Sequence, residues 1–170
     1  MKNRIQTVIL LIAMVIICSN VSCSYLGGGS FGAGSYCRVE RFKFNTTSDE
    51  LIERIMLLKE KHPELNVWST NQEGELYNLD GPDPDGAGEY FYSFYFRFPV
   101  KGKNAVVHTV VRIDSDYPAS LMLSGVSYSP NLGNWEDMYD LKEKGKVEEK
   151  EDLEAAFKKY VLDEIGYEPQ

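Results

Sequence analysis

Glu89-Tyr-Phe-Tyr-Ser-Phe-Tyr-Phe-Arg-Phe-Pro-Val100 is the stretch on which the fold turns. Seven of its twelve residues are aromatic, and flat rings pack well on a pleated surface, so the segment is expected to be a strand. Lys101-Gly102-Lys103-Asn104 reads as a tight turn into Ala105–Ile113, which is rich in Val and Thr, and the pair predicts a β-hairpin. After Asp114–Pro118, Ala119–Ser129 supplies a further strand through Leu121, Leu123 and Val126.

Upstream, Tyr36–Phe44 predicts a first strand. Cys37 and Val39 fall in one parity and Phe42 and Phe44 in the other, which calls for a bulge near Glu40 or Arg41. Thr47-Ser48-Asp49-Glu50 has the spacing of a capping box, with Thr47 as N-cap. Leu51, Ile52, Ile55, Met56 and Leu58, with Leu57 at the margin, give a helical stripe that Pro63 ends near Lys61 or His62. Leu65–Ser69 and Glu75–Leu79 suit short strands around a turn. Asp80-Gly-Pro-Asp-Pro-Asp-Gly-Ala-Gly88 is a loop. Downstream, a turn at Asn131–Asn134 leads to a short helical piece over Trp135–Leu141. Glu149–Ile165 predicts a closing amphipathic helix with Leu153, Ala156, Phe157, Tyr160, Val161 and Ile165 on one side and Gly166 as its C′ glycine. Together these predict one α+β domain over residues 36–170, an antiparallel meander sheet with two helices packed on one face.

The first residues read as an address. Lys2 and Arg4 precede ten unbroken apolar residues, Val8–Ile17, and then Cys18-Ser-Asn-Val-Ser-Cys23. A basic start, a short apolar run and small residues before a cut build a secretory signal peptide. A spanning helix needs about 20 apolar residues, twice this run. Val21-Ser22-Cys23 resembles the lipobox of bacterial lipoproteins, although Asn20 stands where that family commonly has an aliphatic residue. The resemblance implies cleavage of residues 1–22 and diacylglycerol on the Cys23 thiol. Residues 23–35 would form a lipidated tether with five glycines. In outline the chain also resembles small Bacteroidota lipoproteins, through its short signal, its Ser-Cys-Ser junction and its helix, aromatic meander and closing helix. The expected location is therefore the envelope of a Gram-negative bacterium, anchored to membrane through lipid on Cys23 and facing the periplasm.

The chain carries 18 Lys+Arg against 26 Asp+Glu, a formal charge of −8. Loss of Lys2 and Arg4 with the leader leaves 16 against 26, or −10, which repels phosphate backbones and argues against a nucleic-acid partner. Of three cysteines, Cys18 leaves with the leader and Cys23 takes the lipid, so Cys37 has no disulfide partner and is expected to be an inert thiol.

Candidate chemistry is sparse. Asp80, Asp83 and Asp85 suggest a calcium loop, but placing Asp85-Gly86 at positions 5 and 6 of an EF-hand puts Gly81 at 1 and Tyr92 at 12, so no metal site is expected. His62 and His108 stand in no catalytic motif, and neither a catalytic residue nor a cofactor is expected. In the aromatic strand, Tyr90, Tyr92, Phe94, Phe96 and Phe98 share one parity, while Phe91, Ser93, Tyr95 and Arg97 share the other. With the first set facing the helices, Phe91, Tyr95 and Arg97 form an outer surface of the composition that recognises a protein or a glycan. The bland alternative is a strand covered on both faces. The expected function is a non-catalytic binding or accessory domain that contacts an envelope protein. An immunity-like domain neutralising a basic toxin is the alternative, and a small hydrolase comes after it.

Overall fold

The turn at Lys101-Gly102 sets the centre of the fold. Lys101 (φ 45°) and Gly102 (φ 80°) both take left-handed backbone, which matches a two-residue connection to the natural twist of the strands it joins. It links β5 (Phe91–Val100) to β6 (Lys103–Arg112), paired from Phe91↔Arg112 to Val100↔Lys103. The computed structural model describes residues 39–82, 90–113, 117–130 and 132–168. Cys23, Cys37 and the 83–89 loop, to which the lipidation, thiol and calcium readings belong, lie outside the described residues.

The protein is α+β with an antiparallel sheet. Its strands run β1 (Glu40–Phe44), β7 (Ala119–Ser127), β6, β5 and β4 (Gly81–Pro82), and β8 (Glu136–Asp137) also pairs with β7. β2 (Trp68–Thr70) and β3 (Leu76–Asn78) form a separate hairpin. The helices are α1 (Ser48–Lys61), α2 (Met138–Glu143) and α3 (Val147–Phe157), the last continuing into a π turn over Lys158–Leu162.

One sheet parity builds the core. Phe94, Phe96 and Phe98 of β5, Val107 and Val111 of β6, and Leu121 and Leu123 of β7 share a single cluster with Leu51, Ile55 and Leu58 of α1 and Leu153 and Phe157 of α3. The helix stripe is thus narrower than expected. Positions 51, 55 and 58 follow the helical repeat, whereas Met56 and Leu57 are exposed. The capping box forms in both directions: Thr47 Oγ1 accepts from the Glu50 N–H at 3.3 Å, and the Glu50 carboxylate accepts from the Thr46 hydroxyl and the Thr47 N–H. Those bonds favour the ionised carboxyl and hold it below its ordinary pKa. At the other end, Gly166 (φ 76°) terminates the closing helix as its sequence predicts. The π turn, unforeseen from periodicity, widens the helix so that adjacent Val161 and Leu162 are both buried.

Two expectations need correction. β1 contains no bulge, because Glu40↔Leu123 runs unbroken to Phe44↔Ala119. Val39 needs no change of phase, since it packs on the opposite sheet face with Phe91, Val110 and Met122. The register shift lies instead between β6 and β7, where His108 pairs with Gly125 and Thr109 with Leu123, leaving Ser124 as the extra residue. Nor is Trp135–Leu141 one helical piece, for it splits into β8 and α2.

Candidate functional site: an aromatic and cationic sheet face

Strand alternation directs Phe91, Ser93, Tyr95 and Arg97 of β5 away from the Phe94–Phe96–Phe98 core. Across the sheet, Tyr95 pairs with His108, His108 with Gly125 and Gly125 with Asp137, so these residues form one row over four strands. The Tyr95 ring stacks on His108 with centroids 4.6 Å apart and planes 20° from parallel. Trp135 meets both edge-on, at 6.0 Å from Tyr95 and 6.2 Å from His108, and it is 39% exposed. Edge-to-face contacts of this kind add about 0.5–1.5 kcal/mol each beyond area burial.

Local chemistry explains how Trp135 arrives there. Leu132 (φ 56°) and Asn134 (φ 55°) both adopt left-handed backbone just ahead of it, a conformation that costs a non-glycine residue about 1–2 kcal/mol. Opposite, Gly125 admits β8, because a Cβ at that position would stand 3.1 Å from the Glu136 carbonyl oxygen and 3.8 Å from the Trp135 ring. A glycine inside a strand often marks such a close backbone approach.

His108 is held at both nitrogens. Ser124 Oγ lies 2.7 Å from Nδ1 and donates its own proton to the His108 carbonyl at 3.1 Å. Its oxygen is then left to accept from Nδ1–H, so Nε2 accepts from the Ser93 hydroxyl 3.1 Å away. A serine donating to histidine Nε2 is half of a nucleophilic triad. Here a neutral hydroxyl holds Nδ1 where a triad places an acid, and Ser93 is only 6% exposed, so the network serves better to fix the imidazole under Tyr95 than to attack a substrate.

The backbone of Tyr95 is clamped from the sheet edge. Its N–H donates to Asp80 Oδ1 at 2.8 Å, and its carbonyl accepts from Lys59 Nζ at 2.7 Å. Lys59 and Asp80 also pair with each other, and Lys59 Nζ stands 4.9 Å from the Phe96 ring centroid. Burial pushes the Lys59 ammonium below its ordinary pKa, with Asp80 opposing that shift.

The three residues singled out in the sequence share this face but differ in access. Phe91 is 6% exposed beside Val110, Met122 and Val39, so it offers little surface to a partner, against the expectation. Tyr95 is half-buried, and half-buried Arg97 lines a cleft of about 360 Å³ with Lys103, Asn104, Val106, Tyr128 and Ser129. No protein-family model, curated protein or solved structure matches this chain. Trp135, Ser124 and Lys103 escaped the sequence reading, which weighed His108 only as a catalytic residue, and Gly125 inside a strand pattern was the one signal that could have found Trp135. The separate β2–β3 hairpin leaves Trp68 (51%) and Leu76 (71%) exposed. No group of three or more His, Cys, Asp or Glu side chains suited to a metal ion occurs among the described residues.

Proposed function

We propose that the protein is an envelope lipoprotein, anchored by acyl chains on Cys23 and facing the periplasm, whose domain binds a protein partner through the face bearing Tyr95, Arg97 and Trp135. The observation that carries the reading is the Tyr95–His108–Trp135 cluster, in which three elements converge on the sheet face away from the core. Tyr, Trp and Arg dominate the energetically decisive residues of protein interfaces. A cluster fixed in place by Gly125, Ser124 and the Lys59–Asp80 clamp would bind with little further loss of side-chain freedom.

The anchoring part rests on the leader and the Val21-Ser22-Cys23 junction. It needs lipid, since a buried CH₂ contributes about 0.8 kcal/mol and two chains hold where one is marginal. Among the described residues, no helix is long and apolar enough to cross a membrane. The toxin-neutralising alternative asks the acidic surface to meet a basic partner, yet Glu148 and Asp152 are already matched by Lys101, and Glu136 by Lys146.

The test is recovery of the partner from solubilised membranes with wild-type and Tyr95→Ala protein, beside fractionation of Cys23→Ser. The reading expects Tyr95→Ala to lose the partner and Cys23→Ser to become soluble. Unchanged recovery would remove the binding face, and membrane retention without acyl mass would remove the anchor.

A further inference from the structure

We infer that the cleft between Arg97 and Lys103 binds the carboxylate of an acidic peptide segment, an inference that rests on reading this face as the partner surface. The chain has a net charge of −8, and seven of its lysines stand in ion pairs among the described residues. Beside the cleft, Lys101 pairs with Glu148 at 3.0 Å and Asp152 at 2.7 Å, and Lys146 pairs with Glu136 at 2.7 Å. Arg97 and Lys103 differ: neither has an ion-pair partner among the described residues, and no carboxylate lines the cleft they share. Two cations without an ion pair on one cleft can hold an anion between them, while Glu149, which bonds Tyr128 on the cleft wall, bounds the site on its acidic side.

The other lining groups suit a carboxylate. Arg97 offers a planar fork that bonds both oxygens at once, and Lys103 adds a point charge. The Lys103 ammonium sits 5.7 Å from the Tyr128 ring centroid, which restrains it at the rim. Asn104 and Ser129 supply neutral donors. Val106, 4% exposed, gives the cleft an apolar floor that strengthens charge-assisted bonds by limiting water. Its volume of about 360 Å³ stands at the small end of ligand sites, enough for one or two residues and small for an oligosaccharide. Arg97 lies two residues along β5 from Tyr95, so a peptide with an acid followed by an apolar residue can reach both the cleft and the aromatic cluster.

The test is fluorescence anisotropy of a fluorescein-labelled hexaglutamate peptide with the full chain in neutral detergent, using hexaglutamine as the uncharged control and trigalacturonate as a competitor. Hexaglutamate is expected to bind and hexaglutamine not to bind. Arg97→Gln and Lys103→Gln should each weaken binding about tenfold, the loss of one charge-assisted pair, with Arg97→Lys falling between. Lys103 is at the surface, so its variant tests the cleft without risk to folding. Equal binding of hexaglutamine, or Gln variants that bind as wild type does, would overturn the inference. Displacement of the peptide by trigalacturonate at a lower concentration than unlabelled hexaglutamate would assign the cleft to a glycan and overturn it as well. The underlying reading fails separately: Arg97-dependent peptide binding together with Tyr95→Ala protein that still recovers its partner would keep the cleft and remove the aromatic face.

Discussion

Lys59 and Asp80 meet inside the protein, with side chains 5% and 10% exposed, and each reaches past the other to one backbone group of Tyr95. β4 pairs with β5 only at Ser93 and Tyr92, so beyond that point the edge of β5 lacks a partner strand on that side. The ion pair takes the place of the missing strand by accepting from one backbone group and donating to the other. An open edge invites pairing with a second chain, and side-chain caps of this kind suppress it.

The pair should therefore be costly to break from one side. Asp80→Ala leaves a buried ammonium and a buried N–H unmatched, and should destabilise by about 3–5 kcal/mol in urea unfolding. Replacing both residues, Lys59→Met with Asp80→Ala, should cost less than Asp80→Ala alone, because the stranded charge is gone. A loss below about 1 kcal/mol for Asp80→Ala, the size of an exposed pair, would contradict this account.

Gly125→Ala tests how Trp135 is placed. The added methyl would press on the Glu136 carbonyl, and crowding of this kind costs about 1–3 kcal/mol. In a Trp68→Phe background, which leaves Trp135 as the only tryptophan, its emission should shift to the red as the ring leaves Tyr95 and His108. An unshifted spectrum would mean that the glycine does not set the position of Trp135.

The Ser93–His108–Ser124 chain predicts a tautomer. Nitrogen NMR should find the neutral imidazole protonated at Nδ1, with Ser124→Ala reducing that preference and Ser93→Ala retaining it. A wild-type ring protonated at Nε2 would reverse the hydrogen-bond directions assigned here.

Tyr128 carries the alkaline response. Burial, followed by Glu149 and Glu136, pushes its phenol up to about 12. A pKa raised by folding contributes stability that is complete below about pH 10, the unfolded value, and is lost as pH climbs through the folded one. Ultraviolet titration should show a late-ionising tyrosine that disappears in Tyr128→Phe, and the variant should lose less stability between pH 10 and 12. Early, uniform titration of every tyrosine would refute this.

Much of the fold could be read in the sequence because its signals are periodic. The hairpin at Lys101-Gly102, the cap at Thr47 and the stop at Gly166 each state their chemistry locally. Parity placed Phe91, Tyr95 and Arg97 on one face, as alternation requires. Parity could not say what else shares that face, and Val39, Val110 and Met122 bury Phe91 there. Trp135 comes from a residue next to the two-residue strand β8, too short to have a period, and its place depends on a glycine two strands from Tyr95. The pairing of Lys59 with Asp80 joins residues 21 apart and has no local signature.

The most direct test of the account puts a photo-crosslinking amino acid at position 135 of the full chain in living cells, with the same group at position 68 as the control. The account predicts one discrete adduct at 135, identified by mass spectrometry as a single envelope protein and lost in Tyr95→Ala, with no matching adduct at 68. An adduct at 135 that survives Tyr95→Ala, or one partner captured equally from both positions, would contradict it.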